Sequence, residues 1–177
     1  MKFISFNHDN SEKFGIIENN LITDLTGKID GALSLKELIK IKKIKKAKEY
    51  AKSNPGSIKL DQIKYSPLIP NPSKIICVGL NYSEHVKETN RTVEENPVIF
   101  HRFPESQTAH MQAIQRPTVS ESLDFEGEMA VVMDEGGKHI KPEEALKHIV
   151  GFSCYNESTV RELSLIHISE PTRLSRI

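Results

Sequence analysis

Glu126 and Glu128 flank a glycine in Leu123-Asp124-Phe125-Glu126-Gly127-Glu128-Met129-Ala130-Val131-Val132-Met133. Ala130 to Met133 is apolar and β-prone, which reads as a buried strand. If the chain stays extended back through Gly127, residues two apart point to one face, and both carboxylates leave the same side. Unpaired carboxylates side by side on a core strand repel each other and cost desolvation. A divalent cation removes both problems, and hard oxygen donors suit Mg²⁺, Mn²⁺ or Ca²⁺ rather than zinc. A solvent-exposed strand end with two ordinary glutamates meets the same spacing. Glu157 follows an apolar stretch, 150–155, and is a candidate third carboxylate; an acid beside a helix N-cap fits that position too.

A second pair carries acid–base chemistry. Ser83 is placed to cap a helix, which sets His85 and Glu88 at i and i+3 on one face. A carboxylate beside an imidazole orients it and raises its basicity, which suits a general base near neutral pH. A surface His–Glu pair on a helix has the same spacing.

The elements that must position these groups are short. Met1 to Phe6, Lys13 to Glu18 and Leu21 to Leu25 read as strands, the last two joined by an Asn19-Asn20 turn. Ser34 caps a helix beginning at Leu35, with Glu37 completing a capping box. Lys36 to Lys52 is lysine-rich, and its bland reading is one solvated helix face rather than a nucleic-acid or membrane patch, because few aromatics interleave the lysines. Asn54-Pro55-Gly56 ends the helix, and Ile58 to Tyr65 reads as a strand. Pro67, Pro70 and Pro72 mark a linker, dividing a small leading α+β domain, 1–66, from a main domain, 67–163. Within the latter, Lys74 to Gly79, Pro97 to Phe100, Arg116 to Val119 and Val150 to Tyr155 read as strands. Pro142 to Ile149 reads as a helix with Pro142 in its first turn.

Composition excludes some classes. Across 177 residues, 24 basic side chains balance 24 acidic ones, so nothing draws the whole chain to nucleic acid or anionic membrane. No apolar run reaches membrane-spanning length, and the first residues lack a secretory pattern, so a cytoplasmic protein is expected. Cys77 and Cys154 lie in apolar segments and read as buried free thiols.

Four segments occur in order at matching separations: Gly79-Leu80-Asn81-Tyr82-Ser83-Glu84-His85, Phe100-His101-Arg102-Phe103-Pro104, Leu123 to Glu128, and Gly151-Phe152-Ser153-Cys154-Tyr155-Asn156-Glu157. Together they resemble the fumarylacetoacetate hydrolase family, over about Lys74 to Leu163. The resemblance implies a β-rich α+β fold, a mixed β-roll around a buried divalent metal, with a small N-terminal domain ahead of it and a homodimeric assembly. It implies Mg²⁺, with Mn²⁺ or Ca²⁺ possible, and a small oxo or diketo acid as substrate, including those of aromatic degradation.

Residue by residue, the resemblance puts Glu126 and Glu128 at two metal-ligand positions and Glu157 where most members have aspartate. It makes His85 and Glu88 the acid–base dyad, and Arg102 and Asn81 substrate-binding residues. The implied activity is a metal-dependent hydrolase that breaks a carbon–carbon bond of a 2,4-dioxo, acylpyruvate-like acid through a metal-stabilised enolate. Isomerisation or decarboxylation of oxo acids on the same site, or a non-catalytic truncated fragment, are the alternatives. Residues 164–177 depart from the family and look like translated adapter or vector sequence.

Overall fold

Alternating apolar positions turn the N-terminus into an antiparallel meander. The computed structural model describes residues 1–82 and 96–162. In it β1 (Lys2–His8), β2 (Ser11–Glu18) and β3 (Leu21–Asp24) pair in sequence order. Both connections are two-residue turns with positive φ throughout, at Asp9 and Asn10 and at Asn19 and Asn20. Asn and Asp tolerate that left-handed backbone, whose twist suits a hairpin. β4 (Ile58–Lys59) and β5 (Lys64–Tyr65) complete a five-stranded sheet in the order β4-β3-β2-β1-β5. The expected strand over Ile58 to Tyr65 is thus two short strands, separated by a 3-10 turn at Leu60–Gln62.

The lysine-rich segment is two helices rather than one. Ser34 caps α1 (Leu35–Lys40), its side chain accepting from the Glu37 N–H at 3.2 Å, while Glu37 accepts from the Leu33 N–H at 2.7 Å. The helix closes with Lys42 N–H to Ile39 carbonyl and Lys43 N–H to Leu38 carbonyl, and Lys42 takes φ +57°. That bond pair is the common left-handed helix ending. α2 (Ile44–Ser53) then starts afresh. The break lets Leu35, Leu38 and Ile39 bury from one helix and Ala47 and Ala51 from the other, with most of the lysines left in solvent. On the sheet, Phe6 and Ile22 bury with Ile4 on one face, and Phe14 and Ile16 bury on the other.

The proline linker is tied into the same unit. Ser5 Oγ donates to Leu68 carbonyl at 2.7 Å, and the Gln107 amide reaches Ile69 and Pro70 carbonyls at 3.3 Å. Contacts accordingly divide the chain into units Met1–Gln112 and Ala113–Ile177, later than the prolines. β6 (Ile75–Gly79) and β7 (Val98–Arg102) form an antiparallel ladder in the first unit.

In the second unit β8 (Leu123–Asp124) pairs with β11 (Thr159–Val160), and β9 (Gly127–Met133) with β10 (Ile149–Asn156). No strand forms at Arg116 to Val119. The helix from Pro142 is one turn, Pro142–Ala145, continued by a 3-10 turn at Leu146–His148. Two expectations of burial are corrected here. Met129, Val131 and Met133 face solvent with Phe152, because a two-stranded ribbon covers its apolar run on one side at most. Cys154 lies on that same exposed face and Cys77 is half-buried, though both are free thiols. Every ladder among the described residues is antiparallel. No helix among them is long and apolar enough to cross a membrane.

Candidate functional site

The two ladders of the second unit share one register. Asp124 opposes Thr159 and Gly127 opposes Asn156, three residues along on each strand. Glu126 therefore stands opposite Glu157, and the Glu157 N–H donates to the Glu126 carbonyl at 2.8 Å. The Asn156 side chain takes the Glu126 N–H at 3.0 Å, in place of a second ladder bond. That substitution is why the strands break between β8 and β9, and it leaves the register intact.

Parity then sets the side chains. Asp124, Glu126 and Glu128 are two apart along one strand, and Glu157, Thr159 and Arg161 along its partner. Opposed residues share a face in an antiparallel pair. The carboxylates of Asp124, Glu126, Glu128 and Glu157 thus line one side of the ribbon, the side that also carries Tyr155 and Ala130. Glu157 is buried, while Glu126 and Glu128 are half-buried. Arg161 lies among them: its Nε is 2.9 Å from Asp124 Oδ2 and its Nη2 is 3.1 Å from Glu126 Oε1. The Arg161 N–H faces the Ser122 carbonyl at 3.5 Å, which holds the register one step further. Ser120, buried nearby, donates its hydroxyl to Glu162 and accepts from the Ser122 N–H at 3.0 Å.

The spacing of Glu126 and Glu128 is what the sequence led us to expect, and Glu157 joins them through the register. Asp124 and Arg161 were not among the expected site residues. Their signal was the same i, i+2 parity, counted one step outward on each strand. His85 and Glu88 lie outside the described residues. Asn81 and Arg102 belong to the first unit, at opposite ends of the β6–β7 ladder: Arg102 opposes Ile75, whereas Asn81 follows Gly79 and Leu80. At about 3.4 Å per residue the ladder alone separates those ends by roughly 14 Å.

The donor set fits a hard divalent ion in kind, being carboxylate oxygens on adjoining strands with one of them buried. Present side-chain positions do not close around one. Among the described residues no three His, Cys, Asp or Glu side chains come together as a metal-holding group. Glu126 meets the Arg161 guanidinium.

The profile described as Fumarylacetoacetate (FAA) hydrolase C-terminal matches residues 74–170, just over half of the chain. The chain belongs to the fumarylacetoacetate hydrolase family. Among curated relatives of this family member, oxaloacetate tautomerase fahd2, mitochondrial, of Xenopus laevis is 36% identical over 116 residues, which is 66% of this chain and 36% of that protein. The chain thus spans about a third of that relative's length. Among solved structures, the fumarylacetoacetate hydrolase of Exiguobacterium antarcticum matches with a TM-score of 0.71 and 28% identity, over 95% of this chain and 59% of the other. Maleylpyruvate hydrolase from Sphingobium, in complex with manganese and pyruvate, shares the fold with a TM-score of 0.72 at 19% identity, over 91% of this chain and 60% of that one. Members of the family that match here are hydrolases, isomerases and tautomerases, acting on small acids.

Proposed function

We propose that this family member catalyses keto–enol tautomerisation of a short 2-oxo dicarboxylic acid such as oxaloacetate. The observation that carries the reading is the carboxylate row, with Glu126 opposite Glu157 and Glu128 beside them. Opposed like charges destabilise a sheet unless something positive sits between them. The relative from Xenopus laevis, named an oxaloacetate tautomerase, supplies the substrate class.

Glu126, Glu128 and Glu157 would hold the divalent ion, with Mg²⁺, Mn²⁺ and Ca²⁺ all suited to carboxylate oxygens. When bound, the ion supplies positive charge for the carboxylate and carbonyl oxygens of an oxo acid. Asn81 and Arg102 are the substrate-binding residues that the resemblance of their motifs assigns. His85, oriented by Glu88, takes the proton from the carbon beside the carbonyl while the carbonyl oxygen gains one, or runs the exchange in reverse. Both partners of that dyad are assigned from the resemblance of their motif.

The test follows the ultraviolet absorbance of enol oxaloacetate in the presence of Mg²⁺. The wild-type chain is expected to speed its loss above the buffer rate, and Glu126→Ala to return it to that rate. Full activity in Glu126→Ala would sink the carboxylate assignment. Offering an acylpyruvate in parallel separates the two chemistries, since carbon–carbon hydrolysis releases a second acid and tautomerisation releases nothing.

A further inference from the structure

We propose that Arg161 is a built-in counter-ion of the carboxylate row, holding Glu126 while no divalent ion is present and yielding it when one binds. The inference rests on the metal reading of Glu126, Glu128 and Glu157 given above. Four carboxylates share one face of the ribbon, and Arg161 is the guanidinium among them. Its fork spans two of them, Asp124 through Nε at 2.9 Å and Glu126 through Nη2 at 3.1 Å. A planar guanidinium suits such bridging, and it relieves part of the repulsion that opposed carboxylates impose.

A divalent ion and a guanidinium cannot share Glu126 without repelling each other. The geometry gives Arg161 somewhere to stay. The Nε bond to Asp124 anchors it on the outer carboxylate, and its side chain is 35% exposed, so water can take over the Nη2 donor. Binding of the ion then amounts to an exchange of cations at Glu126, with Asp124 retaining the arginine. Arg161 would thereby set how much ion is needed to fill the site and keep the face folded when the ion is scarce.

The experiment titrates Mn²⁺ into the full chain and reads free Mn²⁺ by electron paramagnetic resonance. It compares wild type, Arg161→Gln, Arg161→Lys and Glu128→Gln. Arg161→Gln is expected to bind about two- to fivefold more tightly than wild type, the scale of one partly exposed ion pair. Arg161→Lys, which keeps the charge without the fork, is expected between the two, and Glu128→Gln is expected to lose binding. If Arg161→Gln binds no more tightly than wild type while Glu128→Gln still loses the ion, the metal reading stands and the counter-ion role is overturned. If neither wild type nor Arg161→Gln binds above the Glu128→Gln background, the metal reading fails and takes this inference with it. A second readout needs no variant. Phenylglyoxal labelling of Arg161 in wild type, mapped by peptide mass, is expected to quicken when Mg²⁺ is added; an unchanged or slower rate overturns the exchange.

Discussion

Asp24 shows what a single carboxylate gains when its partners are built in. Burial alone would raise its pKa, but the Thr26 hydroxyl and N–H and the Lys13 ammonium outweigh that and hold it below its ordinary value. The Thr26 N–H and Lys13 Nζ both lie 2.9 Å from its oxygens. A carboxyl depressed on folding stabilises the fold above its unfolded pKa of about 3.9, and that contribution is lost as pH falls through the lower folded value. Asp24→Asn should therefore cost about 1 kcal/mol near pH 7, since the pair is only partly screened. Urea melts at pH 7 and again below about pH 3 check the sign: the gap between variant and wild type should narrow in acid. A gap that widens would mean the Asp24 contacts are not the cause. The carboxylates of the candidate site differ in kind, because Glu126 opposes Glu157 across the ladder and shares Arg161 with Asp124.

Elements were legible where local chemistry decides them. The Asn19-Asn20 turn, the Ser34 cap and the apolar alternation of β1 to β3 all act over a few residues, and each stands as read. The lysine-rich helix was misread because its break is a tertiary matter. Propensity favours one helix through Lys42, whereas the core takes Leu38 and Ile39 from one direction and Ala47 and Ala51 from another. The row of carboxylates was half legible. Glu126 and Glu128 show their parity within one strand, but the place of Glu157 depends on a register between strands thirty residues apart, which no local signal carries. The helix break also makes a prediction. Lys42 occupies a left-handed position that costs an L-residue about 1–2 kcal/mol, less the extra chain entropy a glycine would lose. Lys42→Gly should accordingly raise the stability of the first unit by about 0.5–1 kcal/mol, measured by urea denaturation. A loss of stability would show that side-chain contacts of Lys42 outweigh the backbone cost.

Across the whole chain, apolar burial is uneven. Every buried apolar side chain among the described residues lies at or before Ala109, in the unit Met1–Gln112. In the other unit the buried residues described are Ser120 and Glu157, both polar. Hydrophobic burial is the dominant stabilising term, so local opening should be far easier around β9 and β10 than around β1 and β2. Amide hydrogen exchange followed by mass spectrometry tests this directly. Backbone amides of Ile4 to Phe6 and Phe14 to Ile16 should exchange slowest, and those of Met129 to Met133 orders of magnitude faster. Equal protection in both units would mean that polar pairing, not apolar burial, holds the ribbon. The same experiment distinguishes the consequence of ion binding, because a ligand that binds only the folded ribbon stabilises it in proportion to its occupancy. Saturating Mg²⁺ should slow exchange at Glu126 to Glu128 and Asn156 to Arg161 while leaving β1 and β2 unchanged. A fold that keeps its hydrophobic core in one unit and its charged row in another can lend the second unit to an ion without risking the first.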